Sequence, residues 1–321
     1  MNYAILTRLI LVLPTLIGVT CITFALVFLS PGDPAEILLR EQYGVVDPDE
    51  SVVAEFRESH GLNDSIMVQY VNWLSRIIRG DLGVSFRTGN SVLSEFINRF
   101  PITFQIAVFS EILALFIALP LGILAACRRN SWTDHMTRFV ALCGISVPGF
   151  WLSVVAILVF SMYFQWIRVL EDRYPLVLVL PVLILAFSQQ GPLMRLTRAG
   201  MLEVMKQNYI RTARSKGLDE REVIFKHALK NALIPVLTIF CTQLGVLAAG
   251  TVIIETVFTL NGVGRLLVES IYARDIPVIQ GLFLIFALIY VVINLFADVS
   301  YCLLDPRVRI RGITQESKEQ I

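Results

Sequence analysis

Apolar residues dominate six stretches of the chain, at 9–29, 102–126, 139–166, 176–194, 233–254 and 278–304, and charged positions collect between them. Each is close to or above the roughly 20 residues that a helix needs to cross the hydrocarbon layer. The pattern predicts an all-α polytopic membrane protein with six transmembrane helices. Pro14, Pro120, Pro148 and Pro181 fall inside these stretches and are read as kinks, because neighbouring helices in a bundle can satisfy the freed carbonyls. The first stretch runs into Ser30-Pro31-Gly32-Asp33 with no small-x-small cleavage site, so it is read as a retained span rather than a secretion signal.

Between the first and second spans lie about 70 residues of mixed character, a length at which unstructured connections are uncommon. Within them Tyr70, Trp73, Leu74 and Ile77 recur at helical spacing on one face. This predicts a small extracytoplasmic subdomain. The expected organisation is an N-terminal transmembrane helix at 1–30, the subdomain at 31–101, a core of five spans at 102–306 containing a cytoplasmic loop at 195–232, and a tail at 307–321.

Composition agrees with the pattern. Hydrophobic residues make up 55% of 321 positions and charged residues 17%, with a mean hydropathy of +0.69, which excludes an ordinary soluble domain. The net charge of +1 says little, but its distribution orients the chain. With the N-terminus inside, 17 Lys and Arg fall on the cytoplasmic side against 10 outside, and the acids are biased the other way. The positive-inside rule therefore places both termini in the cytoplasm. Cys21, Cys127, Cys143, Cys241 and Cys302 lie in or beside spans, and 31–101 contains none, so no disulfide framework is implied.

Catalytic chemistry is missing. No Gly-rich loop ends in Gly-Lys-Ser/Thr, and Gly262-Val263-Gly264 follows no βα pattern. His60, His135 and His227 lack ligand spacing, so no metal site is expected. Nothing in the sequence implies nucleic acid as a partner. Glu111 and Asp298 lie within spans, where an acid is costly; a role as proton sites is weighed against hydrogen bonding between helices. Small residues at Ser146, Pro148 and Gly149, and at Gly245, Ala248, Ala249 and Gly250, suit either a translocation path or close helix packing.

The most charged connection is the stretch at 208–235, NYIRTARSKGLDEREVIFKHALKNALIP. Together with SPGDPA (30–35), GDLGVSFRTGNSV (80–92), IETVFTLNGVGRLLVESIYARDIPVIQG (254–281) and LLDPRVR (303–309), it carries a resemblance. On these segments, which are distributed over nearly the whole chain, the sequence resembles the membrane permease subunit of the peptide and nickel branch of binding-protein-dependent ABC importers. The resemblance implies a non-catalytic permease fold that forms half of a translocation path for small peptides. Its implied partners are a second homologous permease subunit, two cytoplasmic ATPase subunits that bind ATP and Mg, and an extracytoplasmic solute-binding protein, all at the lipid bilayer. No cofactor is implied in this chain.

The same resemblance makes Arg211, Thr212, Ala213, Arg214, Lys216, Gly217 and Leu218 the loop that couples to the ATPases, with Ala213 and Gly217, four apart, expected on one close-contact face. The other reading of Gly217 is a helix C-cap beside a solvated charged face. Where the wider importer pattern has Glu-Ala-Ala, this chain has Arg211-Thr212-Ala213, so no contact is expected from that glutamate. Glu255, Asn261, Gly262 and Gly264 resemble the family's outer gate region. Alternatives are a nickel or metal-chelate permease of the same family and, in another class, an ion-gradient carrier using Glu111 and Asp298; a receptor or scaffold has little support. The short connection at 167–175 resembles some nickel-type members.

Overall fold

A computed structural model describes residues 2–29, 32–43, 48–165 and 177–304. The connection expected at 167–175 and the tail expected at 307–321 lie outside the described residues. Among the described residues the structure is helical with a single isolated β-bridge, Val84 to Ser91. The helices are α1 (Asn2–Leu29), α2 (Pro34–Tyr43), α3 (Glu50–Ser59), α4 (Ile66–Ile78), α5 (Val92–Cys127), α6 (Trp132–Ser146), α7 (Gly149–Ala156), α8 (Val179–Val204), α9 (Asn208–Ser215), α10 (Glu220–Glu222), α11 (Leu229–Ala248), α12 (Val252–Val257), α13 (Val263–Tyr272) and α14 (Ile276–Leu304). A π-helical turn at Ile157–Tyr163 extends α7, and another at Val223–Ala228 joins α10 to α11.

Among the described residues, four helical stretches are long and apolar enough to cross a membrane: Val92–Cys127, Val179–Val204, Glu220–Ala248 and Ile276–Ala297. A fifth arises if α6 and α7 with its π turn count together; in α1, Val12–Ala25 is a shorter apolar helix. The expected third span at 139–166 is corrected here. Its halves meet at 92°, because Val147 and Pro148 both adopt extended backbone. A proline pushes its predecessor out of the helical region, and with Pro148 itself extended the helix is broken rather than kinked.

Other boundaries move for equally local reasons. The fourth span, expected to end at Met194, continues as helix to Val204, which takes Arg195 and Arg198 out of the loop expected at 195–232. The fifth, expected to reach Ile254, stops at Ala248, and Gly250 at φ +141° lies in the break that follows. That backbone angle is open to glycine and strained for other residues.

The chain divides into two compact units. One comprises Met1–Leu6, Phe104–Ala248 and Tyr290–Ile321. Its core is alanine-rich, with Ala114, Ala118, Ala141 and Ala186 around Leu193, Met194 and Val236. Small residues let α8 touch its neighbours backbone to backbone: a methyl on Gly144 of α6 would sit 2.4 Å from the Phe187 carbonyl oxygen, and one on Gly191 of α8 would sit 2.6 Å from that of Ala141. In lipid, where water no longer drives apolar surfaces together, such close packing is what holds helices to each other.

The second unit comprises Thr7–Thr103 and Ala249–Ile289, so the segment expected as a separate subdomain shares its unit with α12, α13 and the start of α14. Val92, Val263, Leu266, Leu267, Val278, Leu282 and Phe286 form its main core. Ala35, Leu39 and Val53 join α2 to α3. The expected face of α4 is present: Trp73 is buried, and Tyr70 packs edge-on against Phe24 of α1 at 5.2 Å between ring centroids, with its hydroxyl 3.0 Å from Thr20 Oγ1.

Candidate functional site

The charged connection folds around α9. Its eight residues are amphipathic, with Ile210 and Ala213 buried and Arg211, Thr212, Arg214 and Ser215 exposed. The buried pair joins a cluster with Ala126, Met201, Val223, Ala228 and Ala232, and Leu218 packs partly buried against the same cluster. Short helices of this length are not stable alone; this one is fixed by that apolar anchor. Tyr209 adds a second tie, its hydroxyl accepting from Asn231 Nδ2 at 2.8 Å.

The arrangement corrects the expected contact face. Ala213 points into the protein's own core and is not available to a partner. Gly217 lies beyond the end of α9 with φ +77° and open space where a methyl would go, which is the left-handed residue that commonly terminates a helix. Lys216 is exposed at the C-cap. Arg214 forms a two-pronged pair with Glu220, at 3.0 Å from Nε and 2.5 Å from Nη2, which spans the turn between α9 and α10. The outward face is therefore set by Arg211, Thr212, Ser215 and Lys216.

The residues expected at an outer gate form a buried clamp. The Glu255 side chain is wholly buried. Its Oε1 accepts from Thr103 Oγ1 at 2.7 Å and from Thr251 Oγ1 at 2.8 Å, while Oε2 accepts from the Arg265 backbone N–H at 2.9 Å. Thr103 Oγ1 in turn accepts from Val263 N at 2.9 Å. The carboxylate thus sits at the N-terminus of α13, where orphan amides and the helix dipole favour a negative charge. Gly262 and Gly264 are buried against it, and a methyl on Gly262 would lie 2.4 Å from Glu255 Cδ. Asn261 is exposed and takes no part.

A second carboxylate pins the segment before α5. Asp275 accepts from the Ser85 hydroxyl and from the Phe86 backbone N–H at 3.0 Å; burial pushes its carboxyl above the usual aspartate range against the pull of these donors. Nearby, Glu269 draws together Arg87, Arg99 and Arg265 at 3.4, 3.3 and 2.8 Å. In the other unit Asp134, also wholly buried, holds Arg198 of α8 through two bonds of 2.6 and 2.8 Å. These anchors were missed at the level of sequence. The Ser131-x-x-Asp134 spacing was a usable signal, since Ser131 Oγ does accept from the Asp134 amide. Thr103 and Thr251 had none beyond being polar within the apolar stretches 102–126 and 233–254.

The small residues named for a path are not all on one surface. Ser146 and Pro148 are exposed and Gly149 half-buried at the α6–α7 break. Gly245 and Ala248 are buried; a methyl on Gly245 would lie 3.3 Å from the Tyr290 ring, so Gly245 packs α11 against α14. Ala249 and Gly250 are half-buried in the second unit. Of the two intramembrane acids, Glu111 is wholly buried in α5, and neither carboxyl oxygen has a hydrogen-bond partner among the described residues. Asp298 falls within α14, and its side chain lies outside the described residues. No group of three or more metal-ligating side chains occurs among the described residues.

Residues 1–107 match the family described as the N-terminal part of a binding-protein-dependent transport system membrane component, and 118–310 match the binding-protein-dependent transport system inner membrane component. A dipeptide transport system permease protein of Alkalihalophilus pseudofirmus is 37% identical over 94% of this chain and 98% of its own length. An oligopeptide transport system permease protein of Bacillus subtilis is 38% identical over 95% and 98%, and a dipeptide permease of Escherichia coli is 36% identical over 95% and 98%. With family matches over most of the chain and relatives of this identity along nearly its full length, the chain belongs to the inner membrane components of binding-protein-dependent transport systems, the non-catalytic permease subunits of ABC importers.

Proposed function

We propose that this subunit forms half of the path by which small peptides enter the cell, crossing the membrane six times with both termini in the cytoplasm. The single observation that carries the peptide reading is the full-length similarity to permeases named for dipeptides and oligopeptides. It sets the nickel alternative aside. A second, homologous permease subunit completes the path, a solute-binding protein delivers cargo outside, and two ATPase subunits with ATP and Mg dock inside on the loop containing α9. The domain plan follows: a first helix, an outer segment at 31–101, a five-span permease core at 102–306 and a cytoplasmic tail.

Coupling is mechanical in this reading. A helix can transmit force only if it is fixed to what must move. The apolar anchor at Ile210 and Ala213 supports such fixation, because it joins α9 to the ends of α5 and α8 and to the start of α11. ATPase closure would move α9, and α8 and α11 with it, switching the paired permeases between inward and outward access. Ser146, Pro148 and Gly149, at a helix break, and Ala249 and Gly250, at another, are the positions assigned to the path; Glu255, Gly262 and Gly264 are assigned to the outer gate as its rigid frame, with Asn261 at its surface.

The test reverses charge on the outward face of α9 while leaving its anchor intact. Arg211→Glu combined with Lys216→Glu should lower ATP-driven uptake of a labelled dipeptide by about tenfold or more, the loss expected when one docking contact worth about 1.4 kcal/mol is removed. The thermal unfolding midpoint should not change, since neither side chain is buried. Wild-type uptake and ATPase stimulation in this variant would refute docking on that face.

A further inference from the structure

A groove of about 690 Å3 lies between α6, α8 and α11, all within one compact unit. Its lining carries three guanidinium groups, Arg138 of α6 with Arg195 and Arg198 of α8, and no acid. Most of the remainder is apolar, including Leu142 and Ile145 of α6 and Ile239 of α11. Leu142 and Ile145 are 56% and 45% exposed, so they are not spent on the core.

The two characters are ordered along the helices. α6 and α8 run antiparallel, since Gly144 meets Phe187 while Ala141 meets Gly191. At the helical rise per residue, Arg138 lies about 9 Å from the start of α6, and Leu142 and Ile145 about 15 and 20 Å from it. Arg198 and Arg195 lie about 9 and 14 Å from the end of α8, from which α9 follows. A positive band on the α9 side therefore borders an apolar wall deeper along the same helices.

The band is built on a fixed frame. Asp134, wholly buried, takes Arg198 Nε and Nη2 at 2.6 and 2.8 Å, which leaves Nη1 with no acceptor among the described residues. The same carboxylate stands 3.5 Å from Arg138. Arg195 is exposed and has no polar partner among the described residues. One carboxylate thus offsets one of three charges. Guanidinium groups suit phosphate oxygens, and basic pockets between membrane helices are the places where anionic headgroups bind. A zwitterion fits less well, because its ammonium group meets no acid in the lining.

We infer that this groove binds an anionic phospholipid of the leaflet on the α9 side. The phosphate accepts from Arg195 and from Arg198 Nη1, Arg138 adds positive charge, and an acyl chain lies along Leu142, Ile145 and Ile239. The site depends on neither the cargo nor the sidedness proposed above, only on the chain lying in a bilayer.

The test uses the full chain, assembled with its partner subunits, in phosphatidylcholine nanodiscs holding a small fraction of phosphatidylglycerol with a photoreactive acyl chain. Mass spectrometry of the digested chain should find the label on α6 around Leu142 and Ile145 or on α11 around Ile239. Photoreactive phosphatidylcholine should label these segments at least about fivefold less, and Arg195→Gln should lower phosphatidylglycerol labelling by about fivefold, the usual worth of one basic side chain at a lipid surface. Arg195→Lys, which keeps the charge, should retain most of it. Arg138→Gln is a second variant expected to reduce labelling. The unfolding midpoint of Arg195→Gln should not move, since the side chain is exposed. Glycerol 3-phosphate at millimolar concentration should not compete; if it does, the groove takes a soluble anion and the lipid assignment is wrong. Equal labelling by the two lipids, or labelling unchanged in both Gln variants, would reduce the contact to bulk lipid and overturn the inference. Labelling of the lone chain that disappears in the assembled transporter would give the groove to a partner subunit and overturn it as well.

Discussion

Glu255 and Glu111 are both wholly buried carboxyl side chains, one in each unit, and they differ in everything else. Glu255 receives two threonine hydroxyls and a backbone amide; Glu111 receives nothing among the described residues. The first is a structural part whose every partner would be stranded by its loss. The second is a buried carboxyl with no hydrogen-bond partner among the described residues. Burial alone assigns no role to an acid; the count of donors around it does.

The largest effect should come from removing Glu255. Glu255→Ala strands Thr103, Thr251 and the Arg265 amide in the interior, and three abandoned donors at the usual penalty predict a loss of about 3 kcal/mol or more. Thermal unfolding in detergent should show a markedly lower midpoint and poor recovery of folded protein. Glu255→Gln should fall between this variant and the wild type, because its amide keeps one acceptor oxygen but turns an N–H toward a backbone donor. An alanine variant as stable as the wild type would remove the contrast with Glu111.

Next in size is the close approach that lets the clamp form. A methyl on Gly264 would sit 2.7 Å from Val252 Cα, a contact to backbone that cannot swing away. Gly264→Ala should cost about 2 kcal/mol, the usual price of overpacking, and should leave the second buried acid untouched. Combining Gly264→Ala with Glu255→Ala sharpens the comparison: the two should be less than additive, since both act on one contact set. Full additivity would mean that the glycine serves some other neighbour.

Much of this was legible before any coordinates. Apolar runs located helices at 102–126, 176–194, 233–254 and 278–304, because a span's length and polarity are written directly into its residues. Where the runs failed was at their ends and breaks. Val147-Pro148 reads as a tolerable kink, and the 92° bend there depends on two consecutive extended residues, which a hydropathy pattern does not encode. The α8 extension to Val204 was hidden because Arg195 and Arg198 look like loop residues; Arg198 is tolerated in the helix because Asp134, 64 positions earlier, meets it. The charged connection was recognised, but its Ala213 was assigned outward when it belongs to the core. At a four-residue spacing two residues share a face only while the helix lasts, and α9 ends at Ser215, before Gly217. Glu255 was singled out because its segment resembles the family's outer gate region, yet its partner Thr103 is 152 positions away, a distance no local pattern spans.

The smallest expected effect tests the other half of the comparison. Glu111→Met replaces an unpartnered carboxyl with an apolar chain of similar length in the middle of α5, and replacing a buried charged or polar group with a well-packed apolar one is commonly neutral or stabilising. The free energy of unfolding should stay within about 1 kcal/mol of the wild type or rise. ATP-driven uptake should persist, and it should not depend on an imposed proton gradient. Loss of uptake with stability intact would instead give Glu111 a part in transport. That outcome would overturn the inference drawn from its missing donors, because an acid kept at a cost to folding, with no partner in this conformation, would then be kept for what it meets in another.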